Sequence, residues 1–160
     1  MNHNADPDNI DFLEYFNEVI LHDGDLDNYN ELTRYVSGTN LNTDDAYRYI
    51  ESKIDLREFI NYHIAEIYFQ NTDWPGNNVK MWRPKHERGT WRWIHSDVEI
   101  GFNLYGTPPE QDGINRLLNP VETGGWNFPW ATLLFRKLMD NDRIRQHLPV
   151  YRMSASNRRP

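Results

Sequence analysis

The chain has 160 residues and a formal net charge of −7, with 38% hydrophobic, 26% charged and 14% aromatic residues. That length holds one ordinary domain with its own core, and the composition is that of a folding chain rather than a disordered one. The acidic balance and scattered basic residues argue against a nucleic-acid partner, and no stretch approaches the ~20 apolar residues of a membrane span.

The first thirty residues are acidic rather than basic-then-apolar, so no secretory signal is expected. Cysteine is absent, which removes disulfides and thiolate chemistry but leaves the compartment open. The localisation is therefore unknown from composition.

Residues 1–8 are acidic and polar and are expected to be disordered. In residues 10–21, Phe12, Leu13, Phe16, Val19 and Ile20 fall on one stripe at helical spacing, which predicts a first amphipathic helix. Leu26, Tyr29, Leu32, Tyr35 and Val36 repeat the pattern up to Gly38, a natural stop for a second helix. A shorter helix is predicted from Thr43 to Ile50.

Asp55, with Glu58 three residues later, has the form of a capping box and opens a stripe of Phe59, Ile60, His63, Ile64, Ile67 and Tyr68. This helix is expected to end near Gln70. Beyond it Asn71, Thr72, Asp73, Pro75, Gly76, Asn77 and Asn78 crowd together, a composition suited to a tight polar loop.

Val79–Arg83 and Thr90–Ile94 alternate and are rich in Trp and β-branched residues, so they read as a β-hairpin. Ser96, Asp97, Val98 and Glu99 follow, and Gly101 marks a place where the backbone needs freedom. From Tyr105 to Asn127 the chain has little periodicity and several Pro and Gly residues, as expected of a long irregular connection. Pro129 suits the first turn of a helix carrying Leu133, Leu134, Leu138 and Met139. Residues 149–160 read as a polar tail.

Phosphoryl transfer by a kinase needs a carboxylate to orient and deprotonate the substrate hydroxyl. It also needs an amide and a second carboxylate to hold Mg²⁺ on the phosphates. Asp73-Trp74-Pro75-Gly76-Asn77-Asn78 reproduces the D-x-x-x-x-N spacing of a protein-kinase catalytic loop, and the hairpin then leads to Asp97. From residue types alone, turn formation is the preferred reading of Asp73, Asn77 and Asn78, because motif matches need their structural context.

The stretches FINYHIAEIYFQNTDWPGNN, KMWRP and TWRWIHSDVEIGF resemble the core of CotH-type kinases, a family named for a spore-coat protein kinase. The similarity is clear over residues 54–102, plausible back to residue 10 and faint beyond Asn119. It reverses the preference for plain turn formers. The resemblance implies an α+β fold in which a mostly helical, kinase-like C-terminal lobe carries a β-hairpin and a metal-site loop, here over residues 9–148.

It further implies transfer of the ATP γ-phosphoryl group to Ser or Thr of a protein substrate, with Mg²⁺ or Mn²⁺. Asp73 would be the catalytic acid/base, Asn77 or Asn78 the amide at the cofactor, and Asn78 together with either Asp97 or Glu99 the metal ligands. Glu99 stands where the family usually has a second Asp, and Glu99-Ile100-Gly101 is itself similar to an Asp-Phe-Gly triplet. Family members are often spore-surface or exported proteins.

No strand-Gly-rich-strand pattern is predicted ahead of the helices, so the resemblance implies a partial copy lacking the nucleotide-binding lobe. A second expectation, from a different class, is an inactive pseudokinase remnant acting as a surface or binding module.

Other features have plainer readings. Trp74, Trp82, Trp91 and Trp93 could form a sugar-stacking platform, but core and cross-strand packing is preferred. Asp23-Gly24-Asp25-Leu26-Asp27 mimics the start of a calcium loop, yet Arg34 occupies the twelfth position, so a solvated turn and helix cap is expected. His63 and His95 lack the spacing of a metal pair and are expected to be structural.

Overall fold

The computed structural model describes residues 5–101, 112–123 and 125–148. The predicted tail therefore lies outside the described residues, as does part of the connection from Tyr105 to Asn127. Residues 5–8, expected to be disordered, lead into a turn in which the Asp6 carbonyl accepts from the Asn9 N–H at 3.1 Å.

The architecture is α+β, with a four-stranded antiparallel sheet in the order β2-β1-β3-β4 and six α-helices among the described residues. The strands are β1 (Ile10–Tyr15), β2 (Val19–Asp23), β3 (Val79–Pro84) and β4 (Arg92–Ile94). The helices are α1 (Asp27–Gly38), α2 (Asp44–Lys53), α3 (Leu56–Phe69), α4 (Gly113–Leu118), α5 (Leu133–Leu138) and α6 (Asp142–Gln146). A 3-10 turn covers Val98–Ile100.

The first predicted helix is in fact the β1–β2 hairpin, so a strand pair does precede the helices. A short apolar run satisfies helical and extended periods alike, and here burial follows the period of two, with Asp11, Leu13 and Tyr15 buried. β1 is covered on both edges, by β2 and by β3, with Leu13 opposite Met81 and Tyr15 opposite Val79. Buried Asp11 settles the register electrostatically: its carboxylate meets the Arg83 guanidinium at 2.9 Å and the Lys85 ammonium at 3.6 Å, both from β3 or just beyond it.

The calcium-like segment becomes the turn from β2 into α1. Gly24 has φ 75°, and a Cβ there would stand 2.2 Å from Asp11 Oδ1. Asp25 accepts from the Asp27 N–H and pairs with Lys85, as expected of a turn and cap.

The helices form where predicted in α1, α2 and α3. Thr43 caps α2 by accepting from the Ala46 N–H, and Asp55 caps α3 by accepting from the Glu58 N–H. The Asp55 N–H, which a complete capping box would satisfy locally, donates instead to the Trp91 carbonyl at 3.0 Å. The α2–α3 junction is thereby stitched to the chain entering β4, where Ile54 and Trp91 form a parallel bridge.

Phe59, Ile60, Tyr62, His63 and Glu66 are the buried residues of α3, whereas Tyr68 is 73% exposed. The connection read as irregular contains α4, capped by Asp112 through the Asn115 N–H. Trp74 and Trp91 are buried in the core with Leu32, Phe59, Met81 and Phe135, and Trp82 and Trp93 are half-buried. The Trp set is packing rather than a stacking platform.

Candidate active site

α3 ends at Gln70, whose left-handed backbone (φ 55°) turns the chain sharply into the loop 71–78. Among the described residues, the non-glycine positions with positive φ are Asn17, Gln70, Asn78 and Asp97. All of them belong to this loop or to segments bonded to it. Left-handed Asn and Asp cost less than other residues, and such positions gather where a site over-determines the backbone.

The loop is held from several sides. The Asn17 N–H, at the β1–β2 turn, donates to the Gly76 carbonyl at 3.0 Å and to Asn77 Oδ1 at 3.1 Å. Arg116 of α4 donates to the Asn71 carbonyl at 2.9 Å and also to the Thr72 carbonyl. Gly76 is packed so closely that a Cβ would stand 2.3 Å from the Trp126 carbonyl.

The segment after β4 is tied to the same loop. Asn71 Nδ2 donates to the Asp97 carbonyl at 3.3 Å, and the Ser96 hydroxyl donates to the Asn78 carbonyl at 3.3 Å. Gly101 has φ −77°, so its need is space rather than a left-handed backbone: a Cβ would lie 2.4 Å from the Phe69 carbonyl.

The candidate residues occupy distinct environments. Asp73 is half-buried and lies near enough to Arg116 to act on its charge: burial pulls the guanidinium below its ordinary pKa, and the Asp73 carboxylate works in the opposite direction. Asn77 is buried with its oxygen engaged by Asn17. Asn78 is buried, with φ 62°. Asp97 and Glu99 are exposed, the first at φ 57° and the second inside the 3-10 turn.

Among the described residues no group of three or more His, Asp or Glu side chains gathers as an all-protein metal cage. Mg²⁺ does not require one, since it is usually held by one or two carboxylates together with water and substrate phosphates. The hard oxygen donors on these two joined segments, the Asp97 carboxylate and the Asn78 amide oxygen, suit it in kind.

Residue-type reasoning missed the layer beneath. Glu66 is only 1% exposed, and its Oε2 accepts from Asn71 Nδ2 at 3.2 Å. Among the described residues its Oε1 has no hydrogen-bond partner, and it lies 3.5 Å from His95 Nδ1. Burial raises the Glu66 pKa to about 7. The available signal was positional: Glu66 shares a helical face with Phe59, Tyr62 and His63, and an acid there must find a partner.

His63, by contrast, is structural as expected. Its Nδ1 donates to the Phe59 carbonyl at 2.7 Å, and burial lowers its pKa to about 4.

An α+β chain whose acidic loop follows a buried helix, with a hairpin returning a second acidic segment to it, is consistent with a kinase-like domain. The family model described as "CotH kinase protein" matches residues 2–156, and the chain belongs to that family. The match runs well beyond the residues 54–102 where the resemblance is clear in the sequence. No curated protein and no solved structure matches the chain at a significant level.

Proposed function

We propose that the protein is a kinase that transfers the γ-phosphoryl group of ATP to a Ser or Thr hydroxyl of a protein substrate. Membership of the CotH kinase family supports the kinase class. The observation that carries the site assignment is the pair of hydrogen bonds, Asn71 to Asp97 and Ser96 to Asn78, that joins the loop bearing Asp73 to the segment bearing Asp97.

In this reading Asp73 orients the substrate hydroxyl and takes its proton as the oxygen bonds to the γ-phosphorus. The bond to the β–γ bridging oxygen breaks and ADP departs. Asp97 and Asn78 would hold a divalent ion, which would neutralise charge on the phosphates. Asn78 is preferred to Asn77 because the Asn77 oxygen is engaged at the β1–β2 turn. Glu99, exposed beside Asp97, is the alternative carboxylate ligand.

Calorimetry of Mg²⁺-dependent ATP binding by the wild-type chain and by Asp97→Asn tests the assignment, together with radiolabelled phosphoryl transfer by Asp73→Asn. Wild-type binding that is lost in Asp97→Asn is expected. Asp73→Asn is expected to keep binding and lose about 10²–10⁴-fold in rate, the usual contribution of a positioned acid/base. A wild-type chain that binds no Mg·ATP would overturn the proposal and leave a non-catalytic binding module as the reading.

A further inference from the structure

We infer that Asn71 is a positioning residue whose carboxamide sets the relation between Asp73 and Asp97 and thereby tunes the metal affinity of the site. This rests on the proposed function for its consequence, but the tie itself is a property of the fold.

Asn71 is 1% exposed, and its side chain reaches three places at once. Nδ2 donates to Glu66 Oε2 at 3.2 Å and to the Asp97 carbonyl at 3.3 Å. Oδ1 accepts from the Asp73 N–H at 3.3 Å. Both amide hydrogens and the amide oxygen are therefore engaged, which matches the full donor capacity of a primary carboxamide.

The three partners belong to different units. Glu66 is a fixed point on α3, Asp73 opens the acidic turn, and Asp97 lies at the end of the excursion through β3 and β4. Neither acidic segment is a regular element at these residues, so ladder hydrogen bonds do not hold them there. A short side chain with two donors and one acceptor in a plane supplies what the backbone cannot.

No other residue type fits as well. Asp, when ionised, has no hydrogen to offer either Glu66 Oε2 or the Asp97 carbonyl. Ser has a single donor and cannot serve both acceptors, and Gln, a methylene longer, would carry its amide past the positions that these three contacts fix. Glu66 acts as the anchor: its buried oxygen orients the carboxamide, as outer-shell acceptors orient metal ligands elsewhere.

The experiment uses the full chain as wild type, Asn71→Ala and Glu66→Gln. Nuclear magnetic resonance reads the Asp73 amide and Asp97 carbonyl shifts without metal, and calorimetry reads Mg²⁺ and Mg·ATP affinity. In Asn71→Ala, both resonances are expected to move. Metal affinity should weaken about 10–100-fold, the range seen for outer-shell partners, with the affinity for metal-free ATP unchanged. Glu66→Gln keeps an acceptor for Asn71 and is expected to hold wild-type metal affinity, which separates an orienting role from a charge effect.

Should Asn71→Ala not fold, the wild-type chain still decides the tie. The Asn71 carboxamide protons should exchange with solvent far more slowly than those of exposed asparagines, and fast exchange would overturn the inference. Unmoved Asp73 and Asp97 resonances in the folded variant, or moved resonances with unchanged metal affinity, would overturn it too. A wild-type chain that binds neither Mg²⁺ nor Mg·ATP overturns the kinase reading and the metal consequence together, whatever the resonances show.

Discussion

At the scale of single residues, most of the unusual chemistry lies where the chain turns. Gly24 is an instance in which the backbone dictates the residue. Its φ of 75° favours glycine, and a side chain would meet Asp11 Oδ1 and the Ile10 carbonyl at 2.2 and 2.6 Å. Gly24→Ala is expected to lose about 1–2 kcal/mol from the left-handed backbone alone, with the displaced Asp11 adding to that. Urea denaturation at neutral pH measures it, and a loss below the backbone cost would show that the turn relaxes.

Glu66 sets a different expectation. With a pKa near 7 in the fold against an ordinary 4.5, it stays protonated in the native chain over a range where the unfolded chain has released its proton. Stability is then lost as pH rises from about 4.5 to about 7, because the native state binds more protons there. His63 runs the other way: its depressed pKa costs stability as pH falls from 6.5 to about 4. The two oppose each other where their windows overlap. Glu66→Gln removes only the first, so its melting temperature should exceed wild type at pH 8 and converge on it at pH 4.5. Parallel melting curves at both pH values would show that Glu66 does not titrate in this window.

At the scale of elements, the helices and the hairpin differ in how local their causes are. α2 and α3 begin at capping side chains that lie within their own sequence, Thr43 and Asp55, and α3 stops where Asn, Pro and Gly residues crowd. The β3–β4 hairpin is likewise carried by its own alternation. β1 is not. Its residues suit a helix as well as a strand, and the decision comes from β3, more than sixty residues later, which supplies the ladder and the cations for Asp11.

Asp11→Ala should consequently destabilise the protein by about 3–5 kcal/mol, the cost of stripping one partner from a buried ion pair. Replacing Asp11 and Arg83 together with apolar residues should recover much of it. Thermal or chemical denaturation of the single and double variants checks this, and an additive double variant would show that the pair does not act as a unit. α4 was invisible for a related reason: a helix of six residues, Gly113–Leu118, has too little sequence to display a period, and forms against α3 and α5.

At the scale of the whole molecule, the sheet and helices place two irregular acidic segments side by side. α3 delivers the loop 71–78, β3 and β4 return the chain to it, and the β1–β2 turn and α4 hold it from outside. The family match over residues 2–156 includes all of these elements, so the sheet and the later helices belong to the same family pattern as the acidic loop. The calorimetric test of Asp97→Asn addresses this scale, because it asks whether segments brought together by the fold bind one ligand.

The sequence by itself determined the three long helices, the β3–β4 hairpin and, through its resemblance, the α+β class and the kinship with the CotH kinases; Asp73, Asn77, Asn78, Asp97 and Glu99 stand as the candidates it proposes. The helices and the hairpin were legible because their causes are local: a cap, a period or a turn composition. Only the tertiary structure decided that residues 10–15 are a strand, that Glu66 is buried, that Asn77 is engaged at the β1–β2 turn, and that Asn71 joins the two acidic segments. Those outcomes depend on partners distant along the chain, whose hydrogen bonds and charges no local window contains.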